Sequence, residues 1–577
     1  MEAATPDGPT PDGPTPDGPP FPAAGREQWR ELARAVLVKA GAEPDVDPFA
    51  ALTRTDLDGI AVPPLLLSDD ATERPAVTRA PGAWDVRVRH DDPDPARANA
   101  AVLDDLEGGA SSLWLRVGPG AIAVRDLPRV LDGVLLDLVG VVLDAEPDHT
   151  AGAVAALAEL AGDTTLRGSV GADPVASAFR HGSRTAAWRQ VIPRAGLRAV
   201  TVDGTAYADA GASDVDEVAF ATAAAVAYLR ELDGDFGAVE FRFAVADRQF
   251  PAIAKLRAAR RIWARVAELS GAPGAAQVQH AVTAAAMYSV RDPWVNMLRA
   301  TVSAFAAATG GADAITVHPF DLAVGRPAPF ARRIARNVQA ILHDEASLAR
   351  VLDPAAGSWY VEWLTDQIAQ RAWDRFTEVE REGGIFAALS NGFLAEAVSA
   401  TAERRERRVA TRATPLTGVS EFPDLAEKPV ERPDAPAQAG LRRWAEPFEA
   451  LRDRGDEVLA ATGARPTVQL LTFGARGAAA ARAAFATNLF QSGGLAVELV
   501  TDAAQCNGPL VCLCSSDTGY ADDGAGLAAA ARAAGARQVW LAGRGDVEGV
   551  DAAVSAGGDA LEALHRAWDV LTTEVDA

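Results

Sequence analysis

The sequence predicts an α/β protein in which a (β/α)8 barrel is followed by a smaller, doubly wound α/β domain. Two observations carry this. From about residue 84 to 400, short β-rich runs alternate with long helical patterns, and six or more such units over about 300 residues favour a closed barrel over an open sheet. After a break in character at 401–465, the alternation resumes on a smaller scale through 466–577.

The elements follow in order. Residues 5–19 read TPDGPTPDGPTPDGP, a Pro/Gly repeat that buries too little apolar surface to offset ordering entropy, so 1–22 is expected to be a disordered tail. An N-terminal extension, 23–83, holds a helical segment from Arg26 to Ala40 in which Trp29, Leu32, Val36 and Leu37 recur at helical spacing. Within the barrel, 84–400, the clearest strands are Leu113–Val117, Val134–Leu143, Leu166–Val170, Ala199–Val202, Val239–Phe243 and Ile315–Val317. Helices are expected at Asp214–Leu232 and Phe250–Leu269, the latter with an apolar stripe through Ile253, Leu256, Ile262, Trp263, Val266 and Leu269. Residues 401–465 combine an Arg/Glu run with several prolines and read as a linker. Val468–Thr472, Ala496–Val500, Leu510–Cys514 and Gln538–Leu541 are the strands of the terminal domain.

Composition excludes several classes of function. At 577 residues and 49% hydrophobic content, the chain needs more than one core. A formal charge of -24 repels phosphate backbones and anionic lipid, so neither nucleic acid nor a membrane surface is a natural partner. No apolar run spans a bilayer and the first residues lack a secretory pattern, so a cytoplasmic location is expected. Cys506, Cys512 and Cys514 have no zinc or disulfide spacing and read as core thiols. The seven histidines are scattered, and no metal site is expected.

Four segments, RAARRIWARV (257–266), RDPWVNMLRATV (291–302), ARRIARNVQ (331–339) and DPAAGSWYVE (353–362), resemble the adenosylcobalamin-dependent acyl-CoA mutase family. Their own chemistry reads blandly: Arg257, Arg260 and Arg261 as a solvated or ion-paired helix face, and Trp294, Trp359 and Tyr360 as core or interface aromatics. The resemblance implies a barrel that encloses acyl-CoA and a flavodoxin-like domain that carries cobalamin.

It also implies which side chains the chemistry needs, and this sequence departs from them. The family's W-x-x-R-Q-Y element reads Trp84-Asp85-Val86-Arg87-Val88-Arg89, with Arg89 in place of the tyrosine. In G-Y-H-x-x-E-A-G-A the histidine becomes Ala206, which has no donor. The glutamine of S-G-T-I-Q-N-D becomes Gly171; that of T-H-S-Q-T-S-G becomes Val282, although its histidine survives as His280, expected to be structural. In the terminal domain the cobalt-ligating histidine of D-x-H-x-x-G is replaced by Gly474, without the aspartate that would orient it. Gly474-Ala475-Arg476-Gly477 is at most a weak phosphate-turn signal.

The expectation is therefore a chain with no catalytic, cofactor-binding or metal residues of its own, and a degenerate cobalamin domain. Leu416-Thr417-Gly418-Val419-Ser420-Glu421-Phe422-Pro423 also resembles the family's small, non-catalytic subunits more than the catalytic chains. That implies a heterodimer with a methylmalonyl-CoA mutase large (alpha) subunit, which would bind adenosylcobalamin and interconvert (R)-methylmalonyl-CoA and succinyl-CoA. Two alternatives differ in class: an active isobutyryl-CoA-type mutase that borrows cobalamin from another protein, and a stand-alone CoA-binding scaffold.

Overall fold

The computed structural model describes residues 25–70, 82–182, 196–436 and 438–573, so the expected tail at 1–22 lies outside the described residues. The chain divides into two compact units, 1–71 and 72–577.

The first unit holds helices α1 (Arg26–Lys39) and α2 (Pro48–Leu52) and a short antiparallel pair, β1 (Arg54–Thr55) and β2 (Ala61–Val62). Trp29 packs edge-on against Phe49, with ring centroids 4.9 Å apart, and the guanidinium groups of Arg26 and Arg30 cover the same ring. Of the rest of the apolar stripe of α1, Leu37 is half-buried, while Leu32 and Val36 are 64% and 67% exposed.

In the second unit, eight parallel strands close into a barrel. They are β3 (Asp85–His90), β4 (Ser112–Val117), β5 (Gly140–Ala145), β6 (Gly168–Ala172), β7 (Arg198–Asp203), β8 (Val239–Val245), β9 (Val278–Thr283) and β10 (Ala314–Thr316), in sequential order with β10 pairing β3. The intervening helices are α3 (Pro95–Glu107), α4 (Leu127–Val130), α5 (Pro147–Ala161), α6 (Pro174–His181), α7 (Thr205–Asp209), α8 (Asp214–Glu231), α9 (Gln249–Leu269), α10 (Val295–Thr309) and α11 (Pro329–Ala340). Strands buried on both faces are continuously apolar where they meet the helices, as in Val141, Val142 and Leu143. Helix starts are marked by carboxylates before proline: Asp94 accepts the amides of Ala96 and Arg97 at 3.0 Å, and Asp173 caps α6 in the same way.

One local expectation is corrected. The apolar run Val134–Leu143 is strand only from Gly140; before it the chain turns after Gly133, which has φ +80°, and Val134, Leu136 and Val139 pack against the core beneath the helices while Leu135 and Leu138 face solvent. Apolar content there reflects that packing and not a strand. Strand β7 stops at Asp203, and residues 205–209 turn into α7, which carries Ala206.

The arginine run is ion-paired or bonded to backbone. Arg257 is buried between Asp353 and Glu362, Arg260 donates to the carbonyls of Gly310 and Gly311, and Arg261 pairs with Asp366 at 2.7 Å.

Helices α12 (Trp359–Arg381), α13 (Ile385–Ser390) and α14 (Phe393–Ala410) pack outside the barrel. Inside the 401–465 span lie the end of α14 and all of α15 (Glu446–Thr462). The stretch between them is held across the strand C-terminal ends: Pro433 O accepts from Arg326 N at 2.8 Å, Gln438 donates to Asp209, and Trp444 N donates to Ala286 O at 2.9 Å. Arg291, just after β9, binds Glu427, Asp453 and Asp456, which ties α15 to the barrel.

The last domain is a five-stranded parallel sheet of β11 (Thr467–Thr472), β12 (Ala496–Val500), β13 (Leu510–Cys514), β14 (Gln538–Ala542) and β15 (Ala552–Val554), in the order β12-β11-β13-β14-β15. Helices α16 (Arg476–Ser492), α17 (Asp517–Ala533) and α18 (Ala560–Thr572) cover it. This is the flavodoxin-like, doubly wound order expected from the sequence. Cys506, Cys512 and Cys514 are buried, free thiols.

Candidate functional site: the mouth of the barrel

Active sites of such barrels form at the C-terminal ends of the strands. Here that region is filled. Trp114, on β4, lies between two guanidinium groups: Arg242 of β8, 4.0 Å from its ring centroid, and Arg89 of β3, at 5.2 Å. Its indole Nε1 donates to Asp144 at 3.1 Å, and the His280 ring meets it edge-on at 5.4 Å. Register explains the stack, because Arg89 and Trp114 are direct neighbours across β3 and β4. Trp114 is buried with Val142 and Val282. Above the stack remains a chamber of about 100 Å³, lined in part by Arg180, Asp203, Asp209, His318 and Gln438.

Charge is compensated within the filling. Burial pushes the Asp203 carboxyl up, but Arg180 at 2.8 Å and Arg242 at 3.3 Å outweigh it and hold it at about 2. Asp209, which is farther from a cation, is pushed up to about 7 by burial, against the pull of Arg180 and reinforced by Asp203 and Glu217. The side-chain amide of Gln438 donates to it. Burial and then Arg89 lower His318 to about 3. One layer lower, Arg87 and Glu240 pair at 2.5 Å in full burial.

The positions singled out from the sequence fall as follows. Arg89 lines the chamber and pairs with Asp91 at 3.2 Å. Val282 lines it too. His280 is fully buried in the layer beneath: Arg242 Nε donates to its Nδ1 at 3.3 Å, and its Nε2 lies 2.7 Å from Thr316 Oγ1, which itself donates to Arg87 O. Burial, Arg87 and Arg242 hold His280 well below the usual range, so the ring is neutral, with its proton on Nε2. Ala206, on α7, is buried and is not among the chamber walls. Gly171 has φ +73°, and a Cβ added there would overlap the carbonyl of Leu143, so no side chain fits this backbone. Sequence reasoning missed Trp114, Arg180 and Arg242. A signal existed in the strand VEFRFAV, where Glu240 and Arg242 share one face of an otherwise apolar strand.

In the terminal domain, Gly474 sits in the loop after β11 with φ +75°, and a Cβ there would lie 2.8 Å from Ser515 Oγ. Ser515 Oγ donates to Phe473 O at 2.8 Å, and Gly474 also lines a cavity of about 720 Å³ with Thr472, Phe473 and Arg476. Gly474 itself has no side chain with which to ligate cobalt. Among the described residues, no cluster of His, Cys, Asp or Glu could hold a metal ion, and no helix is long and apolar enough to cross a membrane.

Comparison with known proteins agrees with the fold. The family described as methylmalonyl-CoA mutase matches residues 117–463, more than half of the chain. The methylmalonyl-CoA mutase small subunit of Streptomyces virginiae is 47% identical, over 95% of this chain and 97% of its own length. That of Propionibacterium freudenreichii subsp. shermanii is 35% identical over 96% and 95%. A methylmalonyl-CoA mutase of Cereibacter sphaeroides is 33% identical, but over 41% of this chain and 35% of its own. On these matches and on its barrel and terminal domain, the chain belongs to the methylmalonyl-CoA mutase family.

Proposed function

We propose that this chain is the small, non-catalytic subunit of a heterodimeric adenosylcobalamin-dependent methylmalonyl-CoA mutase. The observation that carries the reading is the Arg89–Trp114–Arg242 stack, which occupies the barrel where an acyl thioester would have to lie. A chamber of about 100 Å³ holds a few waters, not a pantetheine arm. The names of relatives that match nearly end to end support it.

In this reading adenosylcobalamin is bound by the large (alpha) subunit and supplies the radical chemistry that interconverts (R)-methylmalonyl-CoA and succinyl-CoA. This chain contributes no group to the reacting atoms: Arg89, Ala206, Gly171 and Val282 stand where positioning groups are needed, and His280 is committed to Arg242 and Thr316. Its role is structural, through surfaces such as the bare stripe of α1. The isobutyryl-CoA-type alternative requires an open barrel, and the stack disfavours it. Co-expression with the candidate large subunit, followed by assay of each chain alone and of the pair, tests the proposal. Turnover is expected with the pair and not with this chain, even when a cobalamin-binding domain is supplied in trans. Turnover by this chain under that condition would overturn it.

A further inference from the structure

Between Ser420 and Ala445, both buried, no described residue is fully buried, yet the chain crosses the mouth of the barrel there. Its two ends are fixed. At the first, Arg432 Nε donates to the buried carboxylate of Asp321 at 2.5 Å, and a Cβ on Gly325 would meet Pro433 O at 2.5 Å. At the second, Trp444 N donates to Ala286 O and Arg405 lies 5.1 Å from the Trp444 ring, just before the buried Ala445 and Phe448.

The middle of the span rests on one barrel residue. Gln438 donates its side-chain amide to the Asp209 carboxyl, and Arg442 N donates to the Asp209 main-chain O at 2.8 Å. With Ala439, Gln438 also closes part of the chamber above the Arg89–Trp114–Arg242 stack. Residues 438–442 are all half-buried or exposed. A segment held by a few polar contacts, with no buried apolar anchor, belongs to the low-stability end of a fold and opens without the rest.

The charges around Asp209 leave it without a partner when it ionises. Arg180 of α6 is taken by Asp203 at 2.8 Å, and Arg89 of β3 by Asp91 at 3.2 Å. Glu217 of α8, bound to Lys255 at 2.7 Å, adds its negative charge to that of Asp203 at the end of β7. On the span itself, Arg442 pairs with the exposed Glu406 at 3.5 Å. Among the described residues no cation is in ion-pair contact with Asp209. An unpaired buried carboxylate gains by meeting water, and here it meets water when the span lifts.

We propose that residues 438–442 form a lid over the barrel chamber that lifts while the barrel stays folded, and that ionisation of Asp209 drives the lifting. Burial, opposed by Arg180 and reinforced by Asp203 and Glu217, holds that carboxyl at about 7 with the lid down. The closed form therefore keeps a proton that the open form releases. Closure weakens as pH rises toward 7 and changes no further above it.

The test follows hydrogen exchange at the Arg442 amide in the full chain, resolved by fragmentation mass spectrometry. The amide of Val141, bonded to Arg167 O inside the barrel at 2.8 Å, is the reference. Each rate is divided by the intrinsic rate at its pH. Arg442 should be at least about 100-fold less protected than Val141 and insensitive to low urea, because a local opening exposes little surface. Its protection should fall by up to about tenfold per pH unit from about pH 5.5 to about 7 and then level off. In Asp209→Asn, which keeps the shape and an acceptor for Gln438, that fall should vanish, with Val141 protection reporting that the variant is folded. Gln438→Ala gives a second reading and should lower Arg442 protection by about 2- to 10-fold even at the acid end. If Arg442 and Val141 share one protection and one urea dependence, or Gln438→Ala changes nothing, there is no separate lid and the proposal falls. If Arg442 protection in wild type is flat or rises between about 5.5 and 7, or falls equally in Asp209→Asn, the role of Asp209 falls.

Discussion

The guanidinium of Arg242 lies 4.0 Å above the indole of Trp114 while its Nε donates to His280 and its Nη1 reaches Asp203. One side chain thus joins the plug of the barrel to its layer of buried polar groups. Removing it leaves His280 without its donor and Asp203 with Arg180 alone. We expect Arg242→Met to destabilise the chain by about 2 to 4 kcal/mol, read as a shift of the urea midpoint without a change in slope. An unchanged midpoint would mean that the stack is ornamental.

Asp209 should give the protein a measurable pH dependence. Its carboxyl ionises near 7 when folded and near the ordinary ~3.9 when unfolded, so between these values the native state holds the extra proton. Stability therefore falls as pH rises from about 4 to about 7, with a slope of up to roughly 1.4 kcal/mol per pH decade from this group. Denaturation across that window should show the slope in wild type and its loss in Asp209→Asn. Asp203, held at about 2, acts in the opposite sense, and its contribution is lost only as the solution becomes strongly acidic.

Restoring the histidine at position 474 should not restore a cobalt ligand. The backbone there has φ +75°, which a histidine adopts only under strain, and its Cβ would lie 2.8 Å from Ser515 Oγ. Gly474→His is expected to lose about 1 kcal/mol or more of stability. Titrated with adenosylcobalamin, it and the wild type should both lack the visible spectrum of histidine-ligated, base-off cofactor.

The N-terminal unit is expected to contribute to partner binding through α1. Deletion of residues 1–22 should leave affinity for the large subunit unchanged. Deletion through Gly41, which removes exposed Leu32 and Val36, should weaken it. Equal affinities by sedimentation would assign the helix to this chain's own fold.

Much of the architecture is legible because buried parallel strands, in the barrel and in the terminal sheet, repeat an apolar signature: Val239–Phe243 and Leu510–Cys514 match the strands to within two residues. Val134–Leu143 misled because an irregular segment that packs on a core is as apolar as a strand. α15 was hidden in a proline- and charge-rich stretch whose buried face, Phe448 and Leu451, is narrow. At the site, Arg89, Gly171 and Gly474 could be found by position in a motif. Trp114 could not, since its role depends on which residue faces it across β3 and β4, and pairing register is not written in either strand alone.

Gly171 constrains what any substitution at that position can do. With φ +73° and the Leu143 carbonyl where a Cβ would go, the backbone of β6 has settled into a path that only glycine can follow. A single codon change back to glutamine would meet that carbonyl before it met any ligand, so its first effect would be a folding defect. A side chain here requires the main chain to move first. A side chain at position 171 therefore acts on folding before it can act on any ligand.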